Sequence, residues 1–237
     1  METTRTGWNV LDRGGAVMWR EYSFGPALAT TLVFRGADDG LIVISPGNNL
    51  EPAALDELKE FGNVVALVAS NGYHWLGHPL WRKHFPKARS FSPKQGIDRI
   101  AKKLPDLGRF ESLDALSPLL GTQATVVDAP GLKIGNAIAM IKGNDGVYWY
   151  PSDFLSNMPS APPNFVFRTL MSMTDSAPGY RLFRPSVWLQ VKDKKVVREW
   201  MEDELTKSAP TVVVPAHGPP TSGADLIATT RALLAKI

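Results

Sequence analysis

Residues 63–70, NVVALVAS, are apolar at nearly every position. A strand with one solvated face alternates apolar and polar side chains, so an unbroken apolar run indicates a strand that is covered on both faces. The run follows an apolar strand-like segment at 41–47, LIVISPG, and a short helical pattern at 51–60 that has Pro52 in its first turn. The order strand, helix, buried strand predicts a layered α/β fold in which helices cover a sheet.

The rest of the chain continues this mixture of strand-like and helix-like segments. Further strands are predicted at residues 16–24, 28–35, 122–130 and 211–218, and on both sides of an Asn-Asp-Gly turn within 138–153. Helices are predicted at residues 78–85, 97–104, 191–207 and 224–237. The pattern at 112–121 is ambiguous, and the proline-rich segment 156–167 predicts a surface loop. With 237 residues and a 44% hydrophobic composition, we expect a single domain that spans residues 1–237.

Charge and composition exclude several classes of function. The chain has 26 Lys plus Arg against 23 Asp plus Glu, and the basic residues are dispersed, which argues against nucleic-acid binding. No apolar stretch approaches the roughly 20 residues that cross a bilayer, and no apolar leader opens the chain, so we expect a cytoplasmic protein without membrane contact. Because cysteine is absent, any metal ion must be held by His, Asp or Glu. Nucleophile-elbow, P-loop and dinucleotide-binding glycine motifs are also absent.

Three sequence fragments, in this order, carry a resemblance to a known family. They are VASNGYHWLGH at 68–78, WYPSDFL at 149–155 and VVVPAHGPP at 212–220. In their order and spacing they resemble the metallo-β-lactamase superfamily, whose early strand is also similar to LIVISPG at 41–47. The resemblance covers nearly the whole chain. It implies a four-layered αββα sandwich with its active site along one edge of the two sheets.

The metal ligands of that superfamily are mostly replaced in this sequence. The superfamily's His-x-His-x-Asp-His run corresponds here to Asn71, Tyr73, Trp75 and Leu76. Leu132 stands where a further ligand histidine would be, whereas Asp153 and His217 match the pattern. A dinuclear zinc site needs about six protein ligands. The resemblance therefore implies the fold of the superfamily with a degenerate dinuclear site.

A branch of the superfamily with an Asn-x-x-His-His-like stretch, a Trp and a Phe-Pro pair offers a closer match. The corresponding residues here are Asn71, His74, Trp81, Phe85 and Pro86. Members of this branch keep the fold without the usual ligands, so the missing ligands here are typical of such a branch.

A single metal ion is the alternative to a metal-free site. Asp153 and His217 would then be joined by His74 or His78, whose i, i+4 spacing places two imidazoles on one face if the segment is helical. Each of the two loop histidines also has a structural interpretation. His74 aligns with a spacer position of the family motif and is interpreted as a hydrogen-bonded loop residue, and His78 as part of a first helical turn. Asp153 fits a turn cap equally well.

The sequence thus leads to two functional hypotheses. The preferred one is a cleft for a small molecule or a partner, without classical metallohydrolase activity and without a cofactor. The residues expected to line this cleft are Asn71, Tyr73, Trp75, Leu132, Asp153 and His217. The alternative is a mononuclear hydrolase that acts on an ester, lactone or related bond with one zinc or other divalent transition metal ion. Catalytic residues and oligomeric state are left unassigned.

Overall fold

The computed structural model describes residues 2–14, 16–25, 27–160 and 164–237. In this part of the chain, the strands form an eight-stranded sheet and a five-stranded sheet, and two further strands within residues 155–182 pair with each other. In chain order this pair lies between the third and fourth strands of the five-stranded sheet.

The first sheet is built by the N-terminal half of the chain. Its strands, in spatial as well as chain order, are β1 (Glu2–Thr3), β2 (Asn9–Asp12), β3 (Val17–Phe24), β4 (Ala27–Arg35), β5 (Gly40–Ile44), β6 (Asn63–Val68), β7 (Arg89–Ser92) and β8 (Glu111–Ser112). Neighbours from β1 to β5 are antiparallel, and neighbours from β5 to β8 are parallel. Parallel neighbours need crossover connections. Three helices lie in these crossovers: α1 (Pro52–Glu57), α2 (His78–His84) and α3 (Lys94–Lys103).

The second sheet is built by the C-terminal half. The short helix α4 (Ser117–Leu120) leads into it, and its strand order is β15-β14-β11-β10-β9. The strands are β9 (Ala124–Asp128), β10 (Ala137–Lys142), β11 (Val147–Tyr150), β14 (Val212–Val213) and β15 (Thr221–Ser222). The two further strands, which pair with each other, are β12 (Leu155–Met158) and β13 (Gly179–Leu182). The remaining helices are α5 (Phe165–Met173), α6 (Arg184–Gln190), α7 (Lys194–Lys207) and α8 (Leu226–Leu234).

The two faces of strand β6 show how the layers are stacked. Ala66 and Val68 point into a core that also contains Ala139 and Tyr150 of the second sheet. Leu67, on the other face, packs in a separate core with helices α1 and α2. The unbroken apolar run at 63–70 is therefore covered on both faces, as predicted.

Helices also cover the outer face of the second sheet. Ile138 and Trp149 of this sheet share a core with Val187 of α6, Met201 of α7 and Leu233 of α8. The order of layers is helices, first sheet, second sheet, helices. The predicted αββα sandwich is confirmed.

The proline-rich segment 156–167 differs from the prediction of a loop. Its first residues belong to strand β12, where Asn157 pairs with Tyr180, and its last residues begin helix α5. Residues 161–163 lie outside the described part of the chain. The strand depends on a partner more than twenty residues away, which local composition does not reveal. The ambiguous segment 112–121 forms a 3-10 turn followed by α4.

Among the described residues, no helix is long and apolar enough to cross a membrane.

Candidate functional site

The fragments singled out in the sequence come together where strands of both sheets end. His74 lies in the turns that follow β6, Asp153 in a 3-10 turn directly after β11, and His217 in the segment after β14. Strands β11 and β14 are parallel neighbours, so their carboxyl ends lie at the same edge of the second sheet. The backbone N–H of Ala137 donates to the carbonyl of Ser70 at 2.6 Å, which brings the end of β6 to the second sheet.

The carboxylate of Asp153 lies between two imidazoles. Its Oδ1 atom is 3.0 Å from Nε2 of His74 and 3.4 Å from Nε2 of His217. All three side chains are buried. Among the described residues, they form a group whose ligand atoms lie within 4.8 Å of one another.

Two amides hold the other oxygen of the same carboxylate. Oδ2 of Asp153 accepts from Nδ2 of Asn71 at 2.8 Å and from Nε2 of Gln190 at 3.3 Å. Asn71 is itself fixed, because its Oδ1 accepts from the backbone N–H of Tyr73 at 2.9 Å. Asp153 is thereby oriented with Oδ1 toward the two histidines.

The orientation and tautomer of His217 are set by backbone. Its Nδ1 is 2.8 Å from the carbonyl oxygen of Leu28 in β4. A carbonyl oxygen only accepts hydrogen bonds, so Nδ1 carries a proton and Nε2 is the ring atom that faces Asp153. Two backbone hydrogen bonds also hold the segment after β14 that carries His217. The N–H of Thr30 donates to the carbonyl of Ala216 at 2.8 Å, and the N–H of Asn157 donates to the carbonyl of His217 at 2.8 Å.

Burial and charge shift the pKa values of Asp153 and His217 in opposite directions. Burial by itself raises the pKa of Asp153, but the charges and hydrogen bonds of His74 and His217 outweigh it and hold that pKa well below its usual value. For His217, burial lowers the pKa, and the hydrogen bond and charge of Asp153 outweigh this and raise it. The cluster therefore favours an anionic carboxylate with positive charge beside it.

His74 is less completely satisfied than His217. Its Nε2 faces Asp153, while its buried Nδ1 has no hydrogen-bond partner among the described residues. A metal-ligating histidine usually donates its second N–H to an acceptor. His74 therefore lies where it could ligate a metal ion, but its Nδ1 lacks the hydrogen bond that ligating histidines normally make.

His78 lies apart from this cluster, although the sequence left it open as a metal ligand. It is fully buried at the start of α2, with its ring centroid 4.7 Å from that of Phe110. Neither ring nitrogen has a partner among the described residues. Burial, followed by the charge of Arg82, lowers the pKa of His78 to about 3. Because residues 71–77 form turns instead of a helix, the i, i+4 spacing does not place His74 and His78 on one face.

The cleft is an open cavity of about 730 Å³. Its floor is formed by His74, Asp153, His217 and Gln190. Its walls are largely apolar and include Tyr22, Phe24, Met158, Met171, Phe183 and Leu189. A cavity of this size and character is typical of a small-molecule site.

The residues expected to line the cleft are not all found in its wall. Tyr73, Asp153 and His217 are in the lining, whereas Asn71 is fully buried behind Asp153. Trp75 instead packs against Ala69, Ile100 and Phe110. Leu132 lies in the core between the second sheet and the outer helices, where it bridges to Val191. Trp75 and Leu132 were expected in the cleft because they align with ligand positions of the family motif. As apolar side chains, they pack into neighbouring hydrophobic cores instead.

Gln190 and the carbonyl of Leu28 were missed from the sequence. Gln190 is the last residue of α6 and is buried, with Nε2 bonded to both Asp153 and Ser186. No local pattern around residue 190 sets it apart from a solvated helix end. Every residue has a backbone carbonyl, so the sequence does not indicate that the carbonyl of Leu28 binds His217.

The described side chains include one donor set that could hold a metal ion, namely His74, Asp153 and His217. Two imidazole nitrogens and one carboxylate oxygen match the ligand types of zinc and of other divalent transition metals. The described residues bring only these three donors together, about half of what a dinuclear site needs. His74, Asp153 and His217 can therefore hold a single ion.

Comparison with known proteins identifies the fold. No protein-family model matches the sequence, and no curated protein matches it. Solved structures do match. A metallo-β-lactamase from Pontibacter korlensis is 14% identical with a TM-score of 0.55, over 93% of this chain and 94% of that one. The solved structure of TMB-1 is 12% identical with a TM-score of 0.56, over 97% and 96% of the two chains. The metallo-β-lactamase FIM-1 from Pseudomonas aeruginosa, in its mono-zinc form, is 12% identical with a TM-score of 0.61, over 100% and 97%.

These identities are low, so the likeness concerns the arrangement of the backbone. It extends over nearly the full length of each chain, as the resemblance seen in the three sequence fragments does. The protein has the metallo-β-lactamase fold.

Proposed function

We propose that the protein is a mononuclear metal-dependent hydrolase that cleaves an ester, lactone or related bond. The observation that carries this proposal is the convergence of His74, Asp153 and His217 at the floor of an open cavity. We rank it above the metal-free cleft preferred from the sequence, because His74, which the sequence offered only as an alternative third ligand, lies beside the two matched residues Asp153 and His217.

Two histidines and one carboxylate make a ligand set that leaves positions open for water and substrate. Because Nδ1 of His217 donates its proton to the Leu28 carbonyl, Nε2 is the nitrogen that would ligate the metal ion, in place of any proton that it shares with Asp153. Asp153 is held in place through its other oxygen by Asn71 and Gln190. When bound, a divalent ion supplies Lewis-acid chemistry, polarising a carbonyl group and acidifying water.

The remaining residues of the site position the ligands and limit the access of water. Asn71 and Gln190 keep Asp153 from rotating, and the aromatic rings of Phe24 and Phe183 lie 6.0 Å and 4.9 Å from the His217 ring. Apolar walls this close to the ligands lower the local dielectric constant, which strengthens electrostatic interactions with a polarised substrate.

Metal content tests the proposal most directly. Protein purified without chelators or an affinity metal, then dialysed against zinc and gel-filtered, should contain about one equivalent of zinc by elemental analysis. The His217→Ala variant should lose it, whereas His84→Ala, which removes a partly buried histidine paired with Asp56, should keep it. Esters, lactones, a phosphodiester and a β-lactam are then assayed with and without zinc. Well under one equivalent of zinc in the parent protein would contradict the proposal.

The metal-free binding cleft stays as a second candidate because of His74. If its Nε2 proton is donated to Asp153, the buried Nδ1 is left as an unpaired acceptor, which folded proteins tolerate somewhat better than an unpaired N–H. If Nε2 binds a metal ion, a buried Nδ1 proton is left without an acceptor, which costs free energy. Absence of zinc together with saturable binding of a small molecule would favour this second function.

A further inference from the structure

We infer that the substrate is uncharged and carries an aliphatic chain, which lies in the apolar cavity above the histidines. The identity of the cleaved bond rests on the proposed function, whereas the apolar, uncharged character of the ligand rests on the cavity itself.

Above the polar floor, most of the cavity wall is apolar. Next to the histidines lie Phe24 and Phe183, and Leu28, Leu170 and Leu189 form the outer part, where each is partly exposed. Isolated exposed leucines are ordinary, but several that converge on one opening form an apolar surface that a ligand would cover. An alkyl chain is the group that gains most from such a wall, at about 0.8 kcal/mol for each fully buried methylene group.

The charges around the cavity argue against an anionic substrate. Among the described residues that line it, there is no lysine or arginine. Apart from the floor, the charged lining residue is Glu21, which repels anions. Phosphate and carboxylate groups are normally met by Arg, Lys or helix N-termini in binding sites. A carboxylate at the far end of a substrate would therefore be desolvated here without compensation.

Binding of simple alcohols tests the inference without metal or catalysis. The protein is treated with EDTA, loaded with the neutral fluorophore N-phenyl-1-naphthylamine, and titrated with 1-butanol, 1-hexanol and 1-octanol. The displacement constant should fall by about two- to fourfold for each added methylene group. 8-Hydroxyoctanoate, which has the same length and a terminal carboxylate, should bind at least tenfold more weakly than 1-octanol.

Two neighbouring residues of α6 provide a matched pair of variants. Leu189 and Trp188 are 54% and 56% exposed, but of the two only Leu189 lines the cavity. Leu189→Lys should weaken 1-octanol binding at least fivefold and reduce the discrimination against 8-hydroxyoctanoate. Trp188→Lys should leave both constants within twofold of the parent. Equal effects of the two variants, or equal binding of butanol and octanol, would overturn the inference.

A catalytic assay tests the chain-length preference independently of the alcohol titrations. With zinc-loaded protein, kcat/KM for p-nitrophenyl octanoate should exceed that for the acetate and that for the p-nitrophenyl monoester of octanedioic acid. If the alcohol series behaves as expected but zinc does not bind, the proposed function fails and the assignment of an apolar ligand stands. If zinc binds and esters are cleaved without a preference for chain length, the proposed function stands and the inference fails.

Discussion

Replacing His78 by leucine should change how the stability of the protein depends on pH. His78 is fully buried against Phe110, and neither ring nitrogen has a partner in the described structure. Burial and, to a smaller extent, the charge of Arg82 lower its pKa from 6.5 to about 3. The native state therefore keeps His78 neutral under conditions in which the unfolded chain takes up a proton.

The sign and size of the effect follow from this difference in pKa. Because the folded pKa is below the unfolded one, the contribution of His78 to stability is fully present above pH 6.5 and is lost as the pH falls from 6.5 toward 3. One pKa unit corresponds to about 1.36 kcal/mol. At pH 5, which is 1.5 units below the unfolded pKa, about 2 kcal/mol of unfolding free energy should be lost relative to pH 8.

Urea unfolding of EDTA-treated protein at pH 8, 7, 6 and 5 measures this contribution. Other titrating groups are common to both proteins, so the difference in unfolding free energy between His78→Leu and the parent isolates His78. This difference should move by about 2 kcal/mol in favour of the variant between pH 8 and pH 5. The control is His84→Leu, at the other end of α2, where the imidazole faces Asp56 at 3.0 Å.

Parallel pH profiles for the parent and His78→Leu would refute the reasoning. They would mean that the folded protein protonates His78 as readily as the unfolded chain does, so that the imidazole is not isolated in the core. A pH effect in His84→Leu of the same sign and size would point to a general consequence of losing a histidine.

Other predictions concern the cluster itself. Asn71→Ala removes the 2.8 Å bond to Asp153 and should weaken zinc binding about 10- to 100-fold in a chelator competition, whereas Asn49→Ala at the surface should not. Gly218→Ala should destabilise the fold by about 2–4 kcal/mol in urea unfolding and lower zinc binding, because φ is +93° and a Cβ would lie 2.0 Å from the Asn157 carbonyl oxygen. Zinc affinity, measured by chelator competition, should decrease as the pH is lowered from 8 to 6, because the pKa of His217 is raised and a proton then competes with the metal for Nε2. An affinity that does not change with pH would exclude Nε2 of His217 as a ligand.

The layered fold could be predicted because its signals are local. The apolar run at 63–70 requires cover on both faces. The apolar stripe that the sequence shows in α7 consists of Val196, Val197, Trp200, Met201 and Leu205. Of these, Val197, Met201 and Leu205 are buried, whereas Val196 is exposed. These patterns arise from the periodicity of strands and helices, and the structure retains them.

The site was predicted only in part, because it depends on turn geometry and on contacts between distant segments. Asp153 and His217 keep the family pattern and could be found. His74 occupies a spacer position of the motif, and the direction of its side chain is set by the turns at 71–77, which the sequence does not specify. Gln190 reaches Asp153 from a helix 37 residues further along the chain.

The contact between His217 and the carbonyl oxygen of Leu28 has a consequence for mutagenesis. Every other amino acid at position 28 carries the same carbonyl group, so a side-chain scan will detect changes in the cavity wall there and remain blind to the anchoring of the imidazole. Sequence variation at this position can then be wide while the orientation of His217 stays constant. Only a shift of strand β4 as a whole, or chemical replacement of the peptide linkage that provides the acceptor, would expose how much that hydrogen bond contributes.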